Sequence, residues 1–205
     1  MTRRRLSLRT ALVAVLTLAG LTLAAQGLWI PAKAALAQVL LDRAFARTLS
    51  EGRPEKAWSW ADTWPVARIS VPRLGRSAVA LSGVSGEALA FGPGWAPGTP
   101  EAGDDGVAVY AAHRDTHFAF LADLVVGDLI EVTRRDGRTA RFRMTGARVA
   151  LWDRSGIDPH AAGRGLALAT CWPFGARTSG PLRYVVEATA VEEDAAVTAS
   201  AERRP

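Results

Sequence analysis

The sequence predicts a mainly β domain, a closed or nearly closed antiparallel barrel of seven or eight short strands with few helices, preceded by an N-terminal transmembrane helix. Three observations carry this expectation. From Val66 onward, apolar and polar residues alternate in short runs rich in Val, Ile, Leu and Tyr. Gly, Pro and Asp punctuate those runs at the spacing of turns. Before them lies a stretch, Thr10 to Ala32, of 23 residues without a formal charge.

The elements follow in chain order. Arg3, Arg4, Arg5 and Arg9 supply four of the five net positive charges, and the remainder is nearly balanced, 21 basic against 20 acidic. The basic excess is therefore a terminal cluster. Nucleic-acid binding needs several Lys or Arg on one folded face, so the high isoelectric point does not point to it. Residues 1–9 read as a cytoplasmic basic segment and 10–32 as a membrane anchor. About 20 apolar residues, rising ~1.5 Å each, cross a hydrocarbon core, and this segment is just long enough. Arginines before it and Trp29 at its far end obey the positive-inside and aromatic-belt rules. The alternative is a cleaved signal peptide, for which Ala35-Leu36-Ala37 offers a small-residue site, though one well past the apolar run. Either way the rest of the chain is exported: the expected location is the inner (cytoplasmic) membrane, single-pass, with the folded domain on the periplasmic side.

Residues 33–65 read as a helical, Trp-rich linker. A helix is expected from Pro31 to Gly52, with Ala35, Val39, Leu40 and Phe45 on its covered face. Trp58, Trp60 and Trp64 are expected as packing residues. The barrel is expected over 66–192. Its strand-like runs are ARISVPRLG, SAVALSGV, GVAVYAAH, DLIEVTRR, RTARFRMTGARVAL, LALATC and PLRYVVEATAV. Asp136-Gly137 between two of them signals a hairpin. Phe91 to Gly106, dense in Gly and Pro, reads as a loop, with Asp104 and Asp105 in a solvated turn. Residues 193–205 read as a flexible tail.

One cysteine excludes an intrachain disulfide framework and any CxxC metal or redox site. A free thiol in an exported domain is open to oxidation, so its position matters. Cys171 ends the run LALATC, at a strand-to-loop edge where side chains reach a cleft. A thiol nucleophile needs a base or a cation nearby. His113 ends the run GVAVYAAH and fits the first requirement. Arg183 opens the run PLRYVV and fits the second, since its fixed fork stabilises an oxyanion or orients a carbonyl. Arg177, in the intervening loop, is the weaker candidate. His113 and His117 are four apart, but Arg114 stands where a zinc protease places Glu, so no metal is expected. His160 reads as a surface residue. Asp115 either orients His113 or braces its loop, and an exposed ion pair fits it equally well.

These residues lie in recognisable stretches. Ala112-His113-Arg114-Asp115-Thr116-His117-Phe118 resembles the G-H-R-D-T-x-F stretch of sortases, and Ala167-Leu168-Ala169-Thr170-Cys171 resembles their T-L-x-T-C signature. Cys171-Trp172-Pro173-Phe174 and Pro181-Leu182-Arg183-Tyr184 resemble the C-Y-P-F and P-x-R-Y pattern of class D sortases, with the arginine twelve residues after the cysteine. The N-terminal anchor and Trp-rich join most resemble the marine proteobacterial type. The resemblance implies a closed eight-stranded barrel and a cysteine transpeptidase. Such an enzyme cleaves an LPxTG-like C-terminal sorting signal through a thioacyl intermediate and passes the protein to an amine. It implies catalytic roles for His113, Cys171 and Arg183, substrate contact by Thr170, Trp172 and Phe118, and no metal or organic cofactor. Two departures stand out: Ala112 replaces the glycine before the histidine, which would tighten the approach of a substrate backbone, and Ala167 replaces the first threonine of the signature.

Two other readings remain at this point. A cysteine transpeptidase of the peptidoglycan-crosslinking type is similar in chemistry, but its His-Gly before the cysteine is absent from Leu-Ala-Thr-Cys. A non-catalytic, membrane-tethered barrel binding a partner through its rim would carry Cys171 buried and inert.

Overall fold

A computed structural model describes residues 8–178 and 180–191. The basic residues Arg3, Arg4 and Arg5, the side chain of Trp29 and the expected tail at 193–205 lie outside the described residues. The chain divides into two compact units, one up to residue 39 and one from residue 40.

The first unit is helical. The long helix α1 (Leu8–Glu51) contains the whole uncharged stretch. Leu12, Val13, Val15, Leu16, Leu18, Leu21 and Leu23 are all exposed, on every side of the helix. Among the described residues, no helix is long and apolar enough to cross a membrane. The expected helix start at Pro31 is corrected, since α1 runs through that position. A proline removes only one N–H donor, and the turns on either side continue here. The expected end holds: Gly52, at φ +69°, donates its N–H to the Thr48 carbonyl at 3.0 Å.

The second unit begins within the last turns of α1. Its buried face is Leu41, Ala44, Phe45 and Thr48, at helical spacing, and Val39 is exposed. The expected face was thus one position out of phase around Val39–Leu40. Leu41 and Phe45 pack with Val79, Leu81 and Ala88 in a satellite core. Each such side chain contributes about 1.5–3 kcal/mol by leaving water. Trp58 meets Phe91 edge-on at 4.8 Å, and Trp64 packs against the main core. Trp60 does not pack: it is 78% exposed. The turn closed by the Ala61 N–H on the Trp58 carbonyl sends Ala61 inward and leaves Trp60 outside.

The eight strands are β1 (Pro65–Val71), β2 (Arg76–Ser82), β3 (Gly94–Trp95), β4 (Gly106–Ala111), β5 (Leu129–Arg134), β6 (Thr139–Leu151), β7 (Arg164–Cys171) and β8 (Leu182–Ala190). They close in the order β1-β2-β3-β4-β7-β8-β6-β5. The mainly β, closed eight-stranded expectation is met, with one correction: β2/β3 and β4/β7 are parallel. Parallel neighbours need a crossover, and the chain between β4 and β7 supplies it by building β5 and β6. A short helix α2 (Gly86–Phe91), capped by the Ser85 hydroxyl on the Ala88 N–H, joins β2 to β3.

Alternation fills the barrel. Ile69, Val71, Ile130, Val132, Phe142, Leu166, Leu168 and Val186 point inward, and Phe118 and Leu121 close the core from the loop after β4. The Asp136-Gly137 hairpin forms as expected, with Gly137 at φ +83° and its N–H on the Arg134 carbonyl at 3.0 Å. Asp104 is not merely solvated: it meets the buried Arg134 at 2.7 Å, and Glu101 joins the same guanidinium. That pairing ties the long loop after β3 to the end of β5. Among the described residues no group of three His, Cys, Asp or Glu is placed to hold a metal ion.

Candidate active site

The site follows from which face each strand gives to the core. On β7, Leu166 and Leu168 enter the core, so Gly165, Ala167, Ala169 and Cys171 line the outer face. On β8, Val186 and Ala188 enter it, which puts Arg183, Val185 and Glu187 outside. On β4, Ala108, Tyr110 and Ala112 enter it, which puts Val109, Ala111 and then His113 outside. His113, Cys171 and Arg183 therefore share one face of three adjacent strands.

They also share one end. Cys171 and Arg183 are direct register partners of β7 and β8. Opposed Cβ atoms on an antiparallel pair lie about 4.5–5.5 Å apart. The parallel register of β4 and β7 runs to Ala111 opposite Ala169. The Ala112 N–H then donates to the Ala169 carbonyl at 3.2 Å, and the Thr170 hydroxyl donates to the Ala112 carbonyl at 2.8 Å. Two residues past the paired strand, the same register sets His113 on the other side of Cys171 from Arg183.

Local structure holds each group. The His113 carbonyl accepts from the N–H groups of Thr116 and Phe118, at 3.4 and 3.1 Å, and this closes a tight turn. Phe118 is fully buried and edge-on to Phe120 at 5.8 Å, so it moors that turn in the core. Cys171 is a free, half-buried thiol. The Arg183 guanidinium donates to the Gly180 and Leu182 carbonyls, both at 2.9 Å. His113 is exposed, and His117 beside it is half-buried. Burial first, and then the charge of His113, hold the His117 imidazole below the usual histidine range.

The other nominated residues divide. Trp172 is half-buried next to Cys171, stacked on Tyr184 at 5.5 Å and edge-on to Phe174 at 5.6 Å. Thr170 and Phe118 are 2% and 0% exposed, so the expected substrate contact is corrected: both face the core and hold the site from behind. Alternation along β7 explains Thr170, which precedes the outward-facing Cys171, and the turn after His113 carries Phe118 inward. The Ala112 methyl also points into the core and does not narrow the outer face. Arg177 and His160 are exposed. Asp115 braces the loop by pairing with Arg114 at 3.4 Å.

Arg114 is the residue that sequence reasoning passed over. It is 7% exposed, and its Nη2 donates to the carbonyls of Ala176 and Thr178, the latter at 3.0 Å. Strand alternation could not mark it, because Arg114 lies in the turn beyond the end of β4.

A cavity of about 350 Å³ lies on the outer face of β7 and β8, lined by Gly165, Ala167, Glu187 and the loop at 156–163. Small residues make its floor possible: a Cβ on Gly165 would come within 2.9 Å of Val107. A cavity of about 430 Å³ sits around the far end of β7, lined by Arg134, Arg138, Arg141 and Arg164. Its arginines are engaged: Arg134 with Asp104, Arg138 with Asp136 and Arg141 with Glu131. Neither Cys171 nor any histidine lines it.

Comparison with known proteins identifies the family and the fold. The family described as Sortase domain matches residues 69–191. Sortase A from Corynebacterium diphtheriae is similar at 25% identity and a TM-score of 0.57, over 66% of this chain and 65% of that one. Sortase C-1 from Actinomyces oris is similar at 26% identity and a TM-score of 0.56, over 63% of this chain and 75% of that one. A sortase D5 transpeptidase from Clostridium perfringens shares the fold at 17% identity and a TM-score of 0.60, over 77% of this chain and 99% of that one. No curated protein matches the chain.

Proposed function

This chain belongs to the sortase family, and on that premise we propose that it is a membrane-anchored cysteine transpeptidase acting on proteins with an LPxTG-like C-terminal sorting signal. One observation supports the reading: Cys171 and Arg183 are register partners on β7 and β8, and the register of β4 with β7, followed past Ala111, brings His113 toward the same end of the barrel.

The chemistry follows from those positions. The Cys171 sulfur attacks the carbonyl carbon of the signal's threonine, and its proton passes to His113. Arg183 leaves its loop carbonyls to bind the oxyanion of the tetrahedral intermediate or the substrate backbone. The C–N bond then breaks, His113 gives the proton to the departing amine, and a thioester remains on Cys171. An incoming amine loses its proton to His113 and attacks the thioester, and the thiol leaves with that proton. A thioester keeps the acyl group activated, so transfer competes with hydrolysis. The cavity floored by Gly165 and Ala167 lies toward the start of β7 and is not lined by His113, Cys171 or Arg183.

The uncharged stretch at 10–32 behind four arginines supports a single-pass anchor in the cytoplasmic membrane with the barrel on the periplasmic side. The Cys171-Trp172-Pro173-Phe174 and Pro181-Leu182-Arg183-Tyr184 stretches support a class D-like enzyme of the marine proteobacterial type.

The test is acyl transfer from sorting-signal peptides to a small amine. The native chain should form a peptide thioester on Cys171, and Cys171→Ala should abolish cleavage and transfer. His113→Ala and Arg183→Ala should each lower them by orders of magnitude with melting unchanged. Full activity in Cys171→Ala, or no acyl-enzyme with any such peptide, defeats the assignment.

A further inference from the structure

We propose that Arg114 is a positioning residue: by clamping the β7–β8 loop to the turn that carries His113, it sets the spacing between His113 and the Cys171–Arg183 pair. This rests on the transpeptidase reading of the site. The loop from 172 to 181 joins the two strand ends that hold Cys171 and Arg183, and its far end already receives the Arg183 guanidinium at Gly180. Arg114, next to His113, reaches 62 and 64 residues along the chain to the Ala176 and Thr178 carbonyls. One side chain thus links the base to the segment that carries the nucleophile and the cation at its two ends.

The form of the link suits arginine. Both carbonyls are reached from one nitrogen, Nη2, whose two N–H donors are fixed in the guanidinium plane. Lysine offers a point charge on a flexible stem and holds such a pair less rigidly. The arrangement is also costly for the fold alone. Among the described residues, Nε and Nη1 are buried without a hydrogen-bond partner, and the one ion-pair partner, Asp115, is 63% exposed at 3.4 Å. A buried charge so thinly compensated stabilises less than an apolar side chain of the same volume. What it supplies is a fixed loop position.

The test uses Arg114→Lys and Arg114→Met in the full chain. The methionine fills the buried volume without charge and keeps the variant folded if the lysine does not. The first readout is the pH profile of Cys171 alkylation by iodoacetamide with no peptide present, in native, His113→Ala, both Arg114 variants and the corresponding double variants. Each Arg114 variant should move the profile toward that of His113→Ala, and each double variant should coincide with His113→Ala. The second readout is peptide cleavage, where kcat should fall about tenfold to a hundredfold with KM little changed, the expected mark of misplaced reacting groups. Native profiles and native kcat in folded Arg114→Met overturn the proposal. So do shifts that persist undiminished in the His113→Ala background, since Arg114 would then not act through His113. If the native chain cleaves no sorting peptide, the transpeptidase reading fails while the alkylation comparison still decides the role of Arg114.

Discussion

Replacing Thr170 with valine asks whether one buried hydroxyl keeps two distant segments of the site in register. Thr170 is 2% exposed and donates to the Ala112 carbonyl at 2.8 Å, across 58 residues of sequence. Valine keeps the shape and exchanges the hydroxyl for a methyl, so no cavity opens. The loss is the bond, and a buried acceptor left without its donor costs about 1–3 kcal/mol. The gain from burying a methyl offsets part of this, which leaves about 1–2 kcal/mol. For a domain of this size, a loss of that order lowers Tm by roughly 3–8 °C, read by circular dichroism. Turnover should fall with it, because the released carbonyl immediately precedes His113. A drop of about tenfold in kcat, with KM unchanged, is the expected signature of a loosened base. Thr170→Ser separates the two effects: it keeps the hydroxyl and loses one methyl, about 0.8 kcal/mol, so it should melt lower than native yet turn over normally. Native melting and native turnover in Thr170→Val would refute the reasoning. A rise in KM alone would restore Thr170 to contact with the substrate.

Two further outcomes test the frame around the site. Phe45→Ala removes a side chain that is 1% exposed in the satellite core with Leu41, Val79 and Leu81, and should cost about 3–5 kcal/mol in urea unfolding. Asp128 accepts from Arg73 at 2.5 and 2.7 Å, and that hydrogen bond, against the opposing effect of burial, holds its carboxyl below the usual range, with the Val125 N–H and the Arg73 charge adding to it. Its stabilisation is therefore present above the ordinary carboxylate value, about pH 4, and is lost as pH falls through the lowered one; Asp128→Asn should lower Tm at neutral pH and flatten the fall in acid.

What the sequence made legible was whatever local alternation encodes. Seven of the eight strands lie in the runs named from their period, because half-buried strands alternate whatever they pair with. β3 was hidden for the complementary reason. Gly94 and Trp95 have no strand pattern, and they are extended only because Leu81 and Ala111 flank them. Parallel pairing was hidden too, since period two is the same in both directions. Ser85 before Gly-Glu-Ala-Leu was a readable cap for α2, masked by the glycines around it. Cys171 and Arg183 could be read as strand-edge residues because they sit at an end and a start of strong runs. Arg114 lies beyond the strand pattern of β4, and the carbonyls of Ala176 and Thr178, distant in sequence, explain its burial.

The parallel pairing of β4 and β7 is the condition for any site here. His113 follows the C-terminal end of β4, and Cys171 is the C-terminal end of β7. Had these strands paired antiparallel, their ends would lie at opposite edges of the barrel, roughly 25 Å apart at about 3.3 Å per residue. β8 must then run the other way, so that Arg183, near its start, meets the same edge. Parity is the second condition. A one-residue slip of β7 would turn Cys171 inward and Thr170 outward and exchange nucleophile for strut. Leu166 and Leu168 oppose that slip from the core, and the Thr170 bond to Ala112 opposes it at the site itself. The same inward residues that stabilise the barrel therefore hold His113, Cys171 and Arg183 on its outer face, so core substitutions on β7 should impair turnover before they unfold the domain.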